Sequence, residues 1–91
     1  MGIVKREVIS GFAIVVADRG FVYIGDVAHD GEWCVVSNCR NIRIWGTKSG
    51  LGQLATQGPQ EKTVLDIIGI VRIPARAVIS IIDTEEAKWT S

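Results

Sequence analysis

The sequence contains few of the residues from which metal centres are built. It has one histidine, His29, and two cysteines, Cys34 and Cys39. A closed zinc site needs three or four ligands, so it would require these residues together with a carboxylate. Two cysteines are also too few for a disulfide scaffold, and unpaired thiols are typical of small apolar positions in a reducing cytoplasm. We therefore predict no metal site and no bound cofactor.

An excess of charge of one sign and long apolar runs are also missing. Ten basic residues balance ten acidic residues, so the net charge is zero, which argues against a protein that wraps duplex DNA or lies on anionic lipid. The longest apolar runs have five or six residues, too few to cross a membrane. The first residues do not resemble a signal peptide. We predict neither a nucleic-acid partner nor a membrane partner.

Catalytic groups are equally scarce. His29 lies beside Asp30 in a predicted hairpin turn, where a solvated side chain is expected rather than the base of a triad. Glu85 and Glu86 are adjacent, so on a helix they point in different directions, and they favour capping of a final turn by Asp83 or Thr84. The segment around Gly50 lacks the lysine and serine of a phosphate-binding loop. We predict that the protein is not an enzyme.

What the sequence does contain is β-branched residues. Isoleucine, valine and threonine make up nearly a third of the chain, as is typical of sheet proteins. We predict a mainly β fold (α+β at most) in one domain spanning residues 1–91: a small antiparallel sheet or barrel-like meander of about six or seven strands, with one short helix near 50–56. The candidate strands are residues 3–10, 12–17, 21–27, 32–37, 39–46, 63–68, 70–73 and 77–82, with Gly69 as a bulge or bend.

The amount of apolar side chain is large for a chain of this length. There are thirteen isoleucines and eleven valines among 91 residues. A domain of this size buries only about two thirds of the surface of its unfolded chain, so a monomer would leave part of this apolar surface in water. Surplus apolar surface favours contacts between subunits. We therefore predict a homo-oligomer.

One strand carries a distinctive combination of side chains. Alternation along Cys39–Gly46 predicts that Ile42 and Ile44 point inward and that Arg43 and Trp45 point outward. A guanidinium binds phosphate or carboxylate oxygens, and an indole stacks on a base. Together with Arg40, these residues predict a site for a small anionic nucleotide, lined by neighbouring copies of the chain.

Two alternatives to this ligand site remain open. In the first, Trp45 packs into the core of a subunit interface, while Arg40 and Arg43 pair with acidic residues. The candidate acidic residues are Asp26, Glu32 and Asp66. Arg72 and Arg76, which bracket Pro74, form a second candidate cationic corner for ligand.

Two neighbouring segments of the sequence carry a resemblance to a known family. They are Arg40-Asn41-Ile42-Arg43-Ile44-Trp45-Gly46, and Leu51-Gly52-Gln53-Leu54-Ala55 followed by Gly58. Through them the chain resembles a family of small uncharacterised proteins encoded by tailed bacteriophages and prophages. Residues 18–25 are similar to the family's valine–glycine strand. Residues 81–87 are similar to its isoleucine-rich end, which runs into Thr-x-x-Ala. The resemblance implies a phage or prophage origin, and hence the cytoplasm of a host bacterium, more than it implies a mechanism.

The resemblance extends from about residue 13 to residue 87 and has three departures. Arg43 stands where the family has its first tryptophan, Asn41 replaces its second arginine, and Ile44 replaces the tyrosine between them. The first change makes the outward face of the strand more cationic and less aromatic.

These observations lead to three functional hypotheses. The first is a non-catalytic anti-defence protein that sequesters a nucleotide-derived immune signal of the host in pockets between subunits. The second is an inhibitor or adaptor that binds a host enzyme through an exposed sheet edge or through the outward face of Arg43 and Trp45. The third is a minor component of the virion or of its assembly.

Overall fold

The computed structural model describes residues 11–89, which form one antiparallel sheet of five strands and a single α-helix. The strands are β1 (Phe12–Ala17), β2 (Val22–Asp30), β3 (Trp33–Ile44), β4 (Val64–Pro74) and β5 (Val78–Asp83), and the helix α1 is Leu51–Gln57. Their order across the sheet is β4-β3-β2-β1-β5. The predicted mainly β fold and the short helix are confirmed. No helix of the described residues is both long and apolar enough to cross a membrane.

The prediction of six or seven strands was too high for the described part of the chain. Residues predicted as two strands at 32–37 and 39–46 form the single strand β3, and those at 63–68 and 70–73 form β4. At the expected breaks, Asn38 and Gly69 have φ angles of 50° and 111°, and the pairing of β3 with β4 shifts register there. The backbone absorbs these residues as bulges, so pairing continues beyond them. The candidate strand at residues 3–10 lies outside the described residues.

The short connection between β4 and β5 requires the sheet to coil. Only Ala75–Ala77 separate the last residue of β4 from the first residue of β5, and this segment spans at most about 14 Å. In a flat sheet the two edge strands would lie about 19 Å apart, across four strand spacings. The register also places Pro74 and Val78 near opposite ends of β2. The sheet therefore wraps round on itself, although it is not closed into a barrel.

The two faces of the sheet bury separate apolar clusters. The first lies under α1 and the C-terminal turn, and it comprises Phe12, Ile14, Val22, Ile24, Ile42, Leu54, Ala55 and Trp89. The second lies inside the coil and comprises Val15, Ala17, Cys34, Val36, Cys39 and Ile73. Ala77 and Val78, at the junction of the connection with β5, pack against the second cluster. Coiling thus buries a face that no helix covers.

The helix α1 is fixed between the sheet and the C-terminal 3-10 turn (Glu86–Lys88). Its Leu54 and Ala55 are buried, and the carbonyl of Ala55 accepts a hydrogen bond of 2.9 Å from the backbone amide of Glu85. Gly58 ends the helix with a φ of 81°, and a Cβ at this position would lie 2.4 Å from the carbonyl oxygen of Lys88. Only glycine permits this close approach together with this backbone conformation.

Thr84 anchors the C-terminal segment to β1 and does not cap the 3-10 turn that follows it. The buried hydroxyl of Thr84 donates to the carbonyl oxygen of Phe12, and the 3-10 turn that follows has no side-chain cap. The predicted capping role is therefore wrong, because the hydroxyl is used to tie the end of β5 to β1. Trp89 packs down on the sheet, with the centre of its ring 6.1 Å from that of Phe12.

A substitution at Gly25 tests how closely β2 approaches the bulge of β3. A Cβ at Gly25 would lie 2.6 Å from the carbonyl oxygen of Ser37 and 2.8 Å from Cγ1 of Val36. We expect Gly25→Ala to lower the free energy of unfolding by about 1–3 kcal/mol, since a backbone atom must move. The measurement is equilibrium unfolding in urea.

Gly52→Ala is the matched control. Gly52 lies within α1, and a Cβ there has no atom within 4 Å, so the same substitution should raise the free energy of unfolding by about 0.5–1 kcal/mol. If Gly25→Ala were as stable as the unsubstituted protein, the described contact between β2 and β3 would be wrong.

Candidate functional site

Arg43 is held by an acidic neighbour on the adjacent strand. Its Nε lies 2.9 Å from Oδ2 of Asp66 and its Nη2 lies 3.2 Å from Oδ1, so both carboxylate oxygens face the guanidinium fork. The hydrogen bond from Arg43 holds the pKa of the Asp66 carboxyl below its ordinary value. Asp66 is one of the acidic residues predicted to pair with the arginines in the alternative that has no ligand site. Much of the hydrogen-bonding capacity of Arg43 is therefore used within the subunit.

Arg40 lies on the opposite face of the sheet from Arg43. It is the register partner of the core residue Ile24, and its guanidinium carbon lies 5.8 Å from the centre of the Trp89 ring. This distance is within the range of a cation–π contact. Residues three apart on a strand project to opposite faces, so one subunit does not bring Arg40 and Arg43 together at a single site.

The end of β3 differs from its predicted alternation. Ile42 is buried as expected, but Ile44 is 50% exposed, so the prediction that both isoleucines point inward was wrong for Ile44. The register of β3 against β4 shifts between these two residues, and β3 ends at Ile44 beyond the first cluster. Trp45 follows with 41% of its surface exposed, and its carbonyl oxygen accepts a 2.7 Å hydrogen bond from the hydroxyl of Thr63.

The second candidate pair lies around the β4–β5 connection. Nη1 of Arg72 is 3.6 Å from Oδ2 of Asp30, with both side chains more than half exposed, so this ion pair is weak. Arg76 is exposed within the 3-10 turn of the connection. Arg72 and Arg76 thus lie at the two sides of Pro74, on the surface and away from the end of β3.

A cleft that the sequence did not predict lies between the two loops that flank α1. It has a volume of about 570 Å³ and is lined by Gly46, Thr47, Lys48, Gln53, Gln60, Glu61 and Lys62. Residues 60–62 lie between the predicted helix and the strand predicted at 63–68, and none of them was a candidate site residue. The fold brings the two loops together, since twelve to sixteen positions of sequence and the whole helix separate their lining residues, so local patterning carried no signal for the cleft.

Several backbone hydrogen bonds fix the walls of this cleft. Oε1 of Gln53 accepts from the amides of Lys48 at 3.0 Å and Ser49 at 2.8 Å. On the other wall, the hydroxyl of Thr63 accepts from the amide of Gln60 at 2.8 Å. At its base, a Cβ on Gly46 would lie 2.4 Å from the carbonyl carbon of Lys62. The loops are therefore in direct contact and the cleft is formed before any ligand arrives.

The lining of the cleft is polar and its charge is weighted to the positive side. Two lysines and one glutamate contribute ionised groups, and two glutamines and a threonine contribute uncharged polar groups. An ammonium is a compact charge with three donors, which suits phosphate or carboxylate oxygens. The cleft therefore has the chemistry to bind a small anion that also presents hydrogen-bonding groups.

The residues with nucleophilic potential lie elsewhere. Cys34 and Cys39 are buried in the second cluster, and burial raises the pKa of the Cys39 thiol to about 11. His29 is exposed near the end of the β2–β3 hairpin. Across residues 11–89, no group of three or more histidine, cysteine, aspartate or glutamate side chains is arranged to hold a metal ion.

No protein-family model and no curated protein matches the sequence.

Burial of the thiols makes a prediction about their reactivity. With a pKa of about 11, only about one thousandth of Cys39 is thiolate at pH 8, and the thiolate is the reactive form. We expect neither cysteine to react with an aromatic disulfide reagent at pH 8 in the folded protein, and both to react once urea unfolds it. Rapid reaction of a thiol in the folded state would contradict the burial of that cysteine.

Proposed function

We propose that the chain is a non-catalytic binding protein that sequesters a small anionic ligand of the nucleotide type, and that it belongs to the phage-encoded group its motifs resemble. The observation that carries the proposal is the preformed cleft lined by Lys48 and Lys62. Sequestration requires affinity and abundance but no chemical step. Such a protein would act in the cytoplasm of a host bacterium by lowering the free concentration of a signal.

The size and lining of the cleft support this class of ligand. A volume of about 570 Å³ lies in the range of small-molecule sites, about 300–1,000 Å³. Small-molecule sites are usually lined by apolar side chains with a few polar groups among them. Every residue that lines this cleft is polar, charged or glycine, so its ligand must itself be strongly hydrophilic. A hydrophilic anion of nucleotide size fits both this volume and this lining. Its charge faces the lysines, and its sugar or base edges meet the side-chain amides of the two glutamines.

This proposal moves the ligand site away from the predicted combination of Arg40, Arg43 and Trp45. Arg43 already contacts both oxygens of Asp66, and Arg40 lies over Trp89 on the other face. Trp45 directly precedes Gly46 at the cleft. We assign structural roles to the two arginines within the subunit, while Trp45 remains close enough in sequence to stand at the rim of the cleft.

The location of the nucleophilic residues supports binding without catalysis. Both thiols lie in an apolar cluster, and the exposed imidazole lies at the far end of the β2–β3 hairpin. None of these three residues lines the cleft. A ligand held there would meet lysines, amides and one carboxylate, which are sufficient for recognition.

Calorimetry with defined ligands tests the proposal. We expect the protein to bind at least one member of a panel of cyclic dinucleotides, cyclic ADP-ribose and linear nucleotides. Lys48→Gln and Lys62→Gln should each weaken that binding about tenfold or more, because each removes a charged hydrogen bond worth about 1.5–3 kcal/mol. Arg19→Gln is the control, since Arg19 lies in the β1–β2 turn away from the cleft.

Two results would contradict the proposal. The first is the absence of heat across the whole panel. The second is binding that is lost with Arg43→Gln and Trp45→Ala but unchanged in both lysine variants, which would place the ligand at the end of β3 instead. All variants should first be matched to the unsubstituted protein by circular dichroism.

A further inference from the structure

The two edge strands of the sheet carry most of the exposed isoleucine in the described chain. Ile67, Ile68 and Ile70 on β4 are 88%, 47% and 68% exposed, and Ile79 and Ile81 on β5 are 67% and 39% exposed. Neighbouring residues on a strand project to opposite faces, so the exposure of both Ile67 and Ile68 means that neither cluster covers the middle of β4. On β5, Val78 and Ile82 pack against the clusters, whereas residues 79–81 between them are exposed.

The middle of each edge has no charged residue and no proline, although β4 has a bulge at Gly69 and carries Asp66, Arg72 and Pro74 on either side of its apolar stretch. Natural edge strands are protected by lysine, proline or inward-pointing charge. Residues 67–71 of β4 and 78–82 of β5 contain no charged residue and no proline. Along residues 11–89, no strand pairs with the outer side of either β4 or β5. Each edge therefore offers about five residues of unpaired backbone flanked by apolar side chains.

We propose that the β4 edge of one copy of this chain pairs with the β5 edge of the next copy, so that the sheet continues from subunit to subunit. The two edges have stretches of the same length without charge, and both are rich in isoleucine. Each edge can therefore supply the other with backbone hydrogen bonds and with apolar side-chain contacts. The pairing gives the exposed isoleucines of each strand apolar neighbours on the adjoining strand, which removes part of their surface from water. This interface does not depend on ligand binding in the cleft.

The occupant is a second copy because residues 11–89 leave both edges of the sheet open. Any single strand from elsewhere covers one edge and leaves the other exposed. A contact between two β4 edges would likewise leave β5 uncovered. A contact of β4 with β5 is heterologous, so a closed ring of such contacts covers both edges of every subunit.

Two substitutions separate the edges experimentally. Ile67→Lys places a charge on β4 and Ile79→Lys places one on β5, at positions so exposed that folding should be unaffected. In sedimentation velocity at micromolar concentration, we expect the unsubstituted full chain to be a multiple of its 9.9 kDa mass and each variant to be a monomer. Ile44→Lys is the matched control, because Ile44 is 50% exposed but lies on an inner strand, and it should remain an oligomer.

A mixture of the two edge variants provides the decisive measurement. The Ile67→Lys protein keeps an intact β5 edge and the Ile79→Lys protein keeps an intact β4 edge. Equal amounts should therefore form a one-to-one dimer of twice 9.9 kDa and no larger particle. A monomeric unsubstituted protein, edge variants that remain oligomeric, or a mixture that stays monomeric would each overturn the proposal.

Discussion

The short connection between β4 and β5 constrains the whole molecule. Three residues join strands at opposite edges of a five-stranded sheet, and this is possible only because the sheet coils. Coiling gives the second apolar cluster an interior although no helix covers that face. The bulges at Asn38 and Gly69 and the glycine at position 25 allow β2, β3 and β4 to bend without losing their pairing. The same coil stops short of closure, so within residues 11–89 no strand pairs with the outer side of either edge.

Several residues of the motifs singled out in the sequence hold the fold together. Leu54 and Ala55 are the buried side of α1, and Gly58 allows the backbone of Lys88 to approach the end of the helix. Thr84, the threonine of the terminal motif, ties β5 to β1. Gly46 brings the two loops around α1 into contact and so forms the base of the cleft. The motif residues therefore position the cleft, while the polar side chains that line it lie mainly between them.

Features determined by local pattern were predictable from the sequence, and features determined by long-range geometry were not. Alternating and β-branched residues predicted the strands, and Leu51 and Leu54 between two glycines predicted α1. Asp66 was among the predicted partners of Arg43 because opposite charges on adjacent strands pair readily. In contrast, the exposure of Ile44 depends on a register shift against β4, and the cleft depends on two loops separated by a helix. No periodicity in the sequence encodes either contact.

The two proposed binding surfaces are chemically and spatially distinct. The cleft is built from loops that precede Val64, and its lining is polar. The edge at residues 67–71 is apolar and uncharged, and neither Ile67 nor Ile79 lines the cleft. A lysine at an edge position therefore tests assembly without altering the ligand contacts, and a glutamine at Lys48 or Lys62 tests ligand binding without altering the edges. Because the two sets of variants act on different surfaces, failure of the ligand proposal would leave the edge pairing intact, and the reverse also holds.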